Sequence, residues 1–117
     1  MNKSILKDKR YAFSILIVKL SQLLVADKKK YVLSKQLLKS GTAVGALIRE
    51  AEFTKRKADF MHKMSVSLRE ANESLYWLDL LKDTNYIHTT HYNIHFPLNQ
   101  ELVAMLVSSI KTTKSKL

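Results

Sequence analysis

Apolar residues return along most of this chain at alternating steps of three and four, and that pattern leaves little choice of secondary structure. A period near 3.6 marks one face of an α-helix, whereas a half-buried strand needs a period of two. Four stretches carry it. The first spans about Ser4 to Asp27, with Phe13, Leu16, Ile17, Leu20, Leu23 and Leu24 on its stripe. The second spans about Leu33 to Glu52, through Leu37, Gly41, Val44, Ile48 and Ala51. The third, Thr54 to Asp83, places Met61, Met64, Leu68, Ala71, Leu75 and Leu78 in heptad a and d positions. The fourth, Leu98 to Thr113, aligns Leu102, Leu106 and Ile110, with Val103 and Val107 beside them. Pro97 then falls in a first turn, where proline is tolerated. With only 2 glycines and 1 proline, sandwiches, barrels and Rossmann-type loops are excluded.

The connections set the topology. Lys28-Lys29-Lys30 joins the first pair of helices, and Glu52-Phe53-Thr54 the second, with Thr54 as N-cap. Thr84 to Phe96 is the one long connection and reads as an irregular loop. Short links make antiparallel neighbours. The expected fold is therefore all-α: an antiparallel up-down-up-down four-helix bundle, one domain over residues 1–117. A chain of this length can bury a core without staples. The absence of Cys removes disulfides and thiolate zinc sites. No apolar run approaches the roughly 18–20 residues of a membrane span, and no leader pattern is visible, so a soluble, cytoplasmic protein is expected.

Gly41 and Gly45 both fall inside the second helical pattern, where each costs about 1 kcal/mol relative to Ala. Ser40, Thr42, Ala43 and Ala46 surround them. Two readings follow: a strip for close helix packing, within or between subunits, or a helix break at Gly41.

The stretch Leu33 to Leu81 also resembles a known family. Ser40-Gly41-Thr42-Ala43-Val44-Gly45-Ala46, Glu50-Ala51, the block Lys57 to Ser65 and the block Arg69 to Leu78 are similar to the large-subunit rRNA intervening-sequence proteins, a four-helix bundle family. A related branch comprises accessory proteins of diversity-generating retroelements. The resemblance implies an antiparallel bundle assembled as a ring of five, no enzyme activity, no cofactor, and association with nucleic acid or a ribonucleoprotein. Leu47 stands where relatives carry Asn, and Arg49 where an acidic residue is common, so a polar contact made by that Asn does not transfer. The loop Thr84 to Phe96 is longer than the family's usual turn.

Lys+Arg 20 against Asp+Glu 10 gives a formal charge of +10, which bears on partners rather than on fold. In an antiparallel bundle one end collects Lys3, Lys7, Lys9, Arg10, Lys55, Arg56, Lys57, Lys63, Lys111, Lys114 and Lys116, opposed by Asp8, Glu50, Glu52 and Asp59. The other end holds Lys28, Lys29, Lys30, Lys35, Lys39 and Lys82 against Asp27, Glu73, Asp79, Asp83 and Glu101. The excess is concentrated at the first end. A ring of parallel subunits would gather five such ends on one face. Such a face attracts phosphate and releases counterions; the bland alternative is a solvated basic surface. No base-reading motif is present. The pairs Glu52–Arg56, Asp59–Lys63 and Arg69–Glu73 are spaced for intrahelical ion pairing.

An oligomer needs a second apolar face, for which Gly41, Gly45, Phe53, Phe60, His62, Tyr76 and Trp77 are the candidates. Tyr76 and Trp77 are adjacent and point about 100° apart, so they cannot share one core stripe; base stacking is the sharper alternative for them. His62 reads as a rim histidine. His88, His91 and His95 have a spacing that would suit Zn²⁺ or Ni²⁺ on a helix. However, Thr89, Thr90, Tyr92 and Asn93 make a poor helix, so no metal site is expected. No phosphate-cradling loop, paired carboxylates or Ser/His/Asp set supports catalysis.

Overall fold

The 3.6-residue apolar pattern is realised as four helices in the computed structural model, which describes residues 3–25 and 31–116. They are α1 (Lys3–Val25), α2 (Tyr31–Glu52), α3 (Lys57–Asp83) and α4 (Thr89–Ser115). Each helix packs on its neighbours in sequence, and α1 closes the square against α4. The molecule measures 47 × 20 × 20 Å, a rod the length of its helices. At one end a cleft is lined by Leu6 of α1, Ile48 of α2, Phe60 and Met64 of α3, and Thr112 and Thr113 of α4. At the other end Leu20 and Leu24 of α1 meet Ile87 and His91. The start of α1 and the end of α4 therefore share one end with the α2–α3 turn, the antiparallel up-down-up-down order. The Lys28-Lys29-Lys30 link lies outside the described residues.

The core follows the expected stripes with informative exceptions. Phe13, Ile17, Leu20, Leu24, Leu37, Val44, Ile48, Leu102 and Leu106 are buried. On α3 the buried line is Met64, Ser67, Ala71, Ser74, Leu78 and Leu81, whereas Met61, Leu68 and Leu75 are only half-buried. Serines thus occupy core positions, and their hydroxyls are satisfied across the seam. Ser67 Oγ donates to the Val44 carbonyl at 3.0 Å, and Ser74 Oγ donates to Ser40 Oγ at 3.1 Å. On the α3–α4 seam Asn99 Nδ2 donates to the Ala71 carbonyl at 3.1 Å. A side chain this short reaches a neighbouring helix's backbone only where the two axes lie close.

The glycines serve the same purpose. No break occurs at Gly41, because α2 runs unbroken from Tyr31 to Glu52. A Cβ on Gly41 would stand 2.9 Å from both Cγ atoms of Ile17, and one on Gly45 would stand 2.7 Å from Ser14 Oγ. Both glycines face α1 of their own chain, which removes them from the candidate subunit interface.

Three boundaries differ from the sequence reading. Thr54 does not cap α3: its Oγ1 donates back to the Ala51 carbonyl at 2.7 Å, and the N-cap is Arg56, with no side-chain capping bond. The third connection is short, Thr84 to His88. It is built on a Schellman motif: Asn85 takes φ 62°, Tyr86 N–H bonds to Leu81 O at 2.8 Å and Asn85 N–H to Lys82 O at 3.0 Å. His88 then caps α4, its ring accepting from Thr90 N–H at 3.1 Å. Helix α4 therefore begins at Thr89, and Pro97 sits in its interior. Tertiary contacts override the poor propensity of Thr89, Thr90 and Asn93. The Tyr92 hydroxyl donates to Asp79 at 2.7 Å, Tyr92 stacks on Phe96 at 4.9 Å, and His95 and Asn99 are buried.

The two glycines predict opposite responses to one methyl group. In Gly41→Ala the added carbon meets the branched root of Ile17, so overpacking of about 1–3 kcal/mol exceeds the roughly 1 kcal/mol of helix propensity regained. In Gly45→Ala it meets a hydroxyl that can rotate, and the propensity gain offsets the contact. Urea unfolding should show Gly41→Ala destabilised and Gly45→Ala at or above the parent.

Candidate nucleic-acid interface

The end shared by the start of α1, the α2–α3 turn and the end of α4 carries exposed Lys7, Lys55, Arg56, Lys57, Lys111, Lys114 and Lys116. Chain-distant cations meet there: Lys57 Nζ donates to the Lys116 carbonyl at 3.4 Å. The side chain of Lys3 lies outside the described residues. Two further members of the sequence-derived set are engaged. Arg10 is only 8% exposed; its guanidinium lies 3.8 Å from Glu52, and its Nε has no hydrogen-bond partner among the described residues. Arg10 is thus a seam residue of the bundle and not part of a free basic face. Lys9 pairs with Glu101 at 3.2 Å, which moves Glu101 from the far end to the α1–α4 seam. Lys63 pairs with Glu50 of the preceding helix at 3.3 Å rather than with Asp59. Glu52 is turned to Arg10 instead of Arg56, and Glu73 accepts from the Trp77 indole at 3.3 Å.

The opposite end has a different character. Lys82 lies 4.2 Å above the Tyr92 ring and 3.8 Å from Asp83. Burial, the hydrogen bond to Asp79 and the charges of Asp79 and Asp83 push the Tyr92 hydroxyl up to about 12. Among the described residues, the cations without an ion-pair partner are therefore clustered mainly at the first end.

The fold and the small-residue strip can now be set against known proteins. Residues 2–108 match the family model described as 23S rRNA-intervening sequence protein. The chain belongs to that family. Among solved structures it is similar to a protein of the S23 ribosomal protein family from Bacteroides thetaiotaomicron VPI-5482, a crystal structure at 1.70 Å. The two share 45% identity and a TM-score of 0.87, over 91% of this chain and 98% of the other. A comparison with curated proteins finds no match.

The remaining candidates divide by exposure. Phe53, His62 and Tyr76 face solvent, while Phe60 and Trp77 are half-buried against their own core. Tyr76 and Trp77 meet edge to face at 5.1 Å, one outward and one inward. Of the three histidines only His91 and His95 lie on α4, and their roles are separate: His88 is its N-cap, His91 is half-buried, and His95 is 4% exposed. Among the described residues, no group of three His, Asp or Glu is arranged to hold a metal ion.

Two outcomes follow. Burial, with a smaller contribution from the charge of His91, lowers the His95 pKa from 6.5 to about 4. The unfolded chain takes up this proton first, so the stability His95 contributes is complete above pH 6.5 and is lost between pH 6.5 and about 4. The loss is about 1.4 kcal/mol per pH unit across that window. Denaturant midpoints between pH 6.5 and 5, above most carboxylate titration, should fall in the parent and flatten in His95→Gln. Arg10→Ala should cost about 1–3 kcal/mol, chiefly through lost packing of its buried side chain, whereas Lys55→Ala should change stability by less than about 0.5 kcal/mol.

Proposed function

We propose that this protein is a non-enzymatic, homo-oligomeric helical-bundle protein of the cytoplasm, a pentameric ring that binds nucleic acid or a ribonucleoprotein through its basic end. The observation that carries the reading is the convergence of Lys7, Lys55, Arg56, Lys57, Lys111, Lys114 and Lys116 on one end of a rod, on side chains that face water. Phosphate-led binding needs only that: cations held in a fixed arrangement, with sequence left unread. The family's name supports the nucleic-acid reading, and the ring of five rests on what the resemblance to the intervening-sequence proteins implies. Exposed Phe53, His62 and Tyr76 are the residues available to a subunit contact. Among the described residues no helix is long and apolar enough to cross a membrane.

The alternative is a structural adaptor that docks another protein and ignores nucleic acid; exposed apolar Val32, Phe53 and Tyr76 favour it. Titration of labelled RNA and DNA at several salt concentrations separates the two. The basic-end reading expects log K to fall linearly with log salt, by about 0.7–0.9 per phosphate contacted. Absence of binding at low salt would leave the adaptor. Light scattering should give a particle five times the 13.5 kDa chain. Arg56→Asp offers a sharper check. Arg56 occupies an N-cap without a capping bond, so Asp there should raise stability by about 1 kcal/mol while weakening nucleic-acid binding. A variant that is more stable and binds equally well would detach Arg56 from the interface.

A further inference from the structure

Beside the basic end, α1 and the close of α2 enclose an open groove of about 380 Å³ lined by Lys7, Asp8, Arg10, Tyr11, Arg49 and Phe53, with Glu52 at its side. Two aromatic rings stand in it almost bare: Tyr11 is 65% and Phe53 77% exposed. Phe53 is fixed just past the end of α2, its N–H bonded to the Glu50 carbonyl at 3.2 Å. Its ring has no place in the core, and water is a poor partner for it. Lys7 and Arg49 face solvent within the groove, and Lys55 and Arg56 follow Phe53 in the turn, after Thr54.

Resting on the proposed binding of nucleic acid, the geometry points to a more specific ligand: unpaired nucleotides, whose bases stack on Tyr11 and Phe53 while Lys7, Arg49, Lys55 and Arg56 take the flanking phosphates. Three features select this over a duplex. Stacking on a protein ring requires a base face that is already free, and a duplex hides its faces. The rings lie in a recess between two helices, where a flat base enters more readily than the wide backbone of a double helix. The groove also keeps two carboxylates, Asp8 exposed and Glu52 held 3.8 Å from Arg10. Carboxylates oppose a continuous phosphate track but accept hydrogen bonds from amino edges of unpaired bases.

The test uses the full chain and two fluorescein-labelled RNA probes, a single strand of about 12 nucleotides and the same sequence as a blunt duplex. Tyr11→Ser and Phe53→Ser remove exposed rings only, and far-ultraviolet dichroism confirms that the helices persist. Each should weaken the single strand about tenfold and leave the duplex within about twofold, while the double variant Lys55→Glu with Arg56→Glu weakens both probes. A 2-aminopurine strand should lose its stacking quench in the ring variants. Equal weakening of strand and duplex, or no effect of the ring variants where the charge variant still reduces binding, overturns the stacking role and leaves the phosphate-binding end intact. A change of particle mass in either ring variant also overturns it, by making the rings a subunit contact. If neither probe binds the parent at low salt, the proposed function itself fails, an outcome distinct from the others.

Discussion

Close approach between helices is the constraint on which this bundle depends. Glycine at positions 41 and 45 lets α2 lie against Ile17 and Ser14 of α1. On the next seam Ser67 reaches the Val44 carbonyl, and on the third Asn99 reaches the Ala71 carbonyl. Each contact requires a small residue on one side, and the last two tie a side chain to a backbone oxygen that already serves its own helix. A carbonyl has two lone pairs, so the second bond does not disrupt the first. Cross-helix bonds of this kind fix axial position as well as distance. Leucines alone would allow the helices to slide by a turn with little loss, whereas a hydroxyl aimed at one carbonyl would not.

Fixed axial position is what turns a charge count into a charged end. Lys7, Lys57 and Lys114 are remote in sequence and share one end only because α1, α3 and α4 are held in register. The same register brings Arg10 to Glu52 and Lys9 to Glu101. Two of the cations that composition assigns to a ligand are therefore consumed by the bundle. What survives is a smaller set, drawn chiefly from the α2–α3 turn and the tail of α4, where among the described residues no neighbouring helix supplies an anion.

The fold was legible because its periodicity is strong and its breakers are few. Val44, Ile48, Leu102 and Leu106 announce their burial by spacing alone. The misread parts share a physical origin, in that polar residues did work normally assigned to apolar ones. Ser67 and Ser74 lie on the buried heptad line of α3, but hydropathy passes over them in favour of Leu68 and Leu75. Propensity reads Thr84 to Phe96 as a loop, yet Tyr92 and Asn99 bond to α3 and His95 is buried, contributions that single-residue preferences omit. One signal was available: Asp83-Thr84-Asn85 is a fair helix ending, since Asn tolerates the left-handed conformation that it adopts here. At the basic end, Lys7, Lys57 and Lys114 meet as the antiparallel helix order implies. Membership failed for Arg10, whose partner Glu52 lies 42 positions away, because no local rule pairs such residues.

Helix electrostatics give the basic end a further meaning. In an antiparallel square the macrodipoles alternate, so each end presents two positive and two negative helix termini and the backbone field largely cancels. The positive potential must come from side chains. Cations at the C-terminal end of α4, Lys111 and Lys114, agree with its dipole. Those at the starts of α1 and α3 do not: α1 has no acidic residue in its first turn, and α3 begins with Arg56 as an uncapped N-cap and Lys57 as its first residue. Ser or Asp at position 56 would serve the helix better, by about 1 kcal/mol. A chain that satisfies its buried Ser67 and Ser74 across the α2–α3 seam has no shortage of polar residues with which to cap a helix. Placing arginine and lysine there instead sets the demand of the surface above that of the local helix, and a conflict between levels of this kind is characteristic of functional positions.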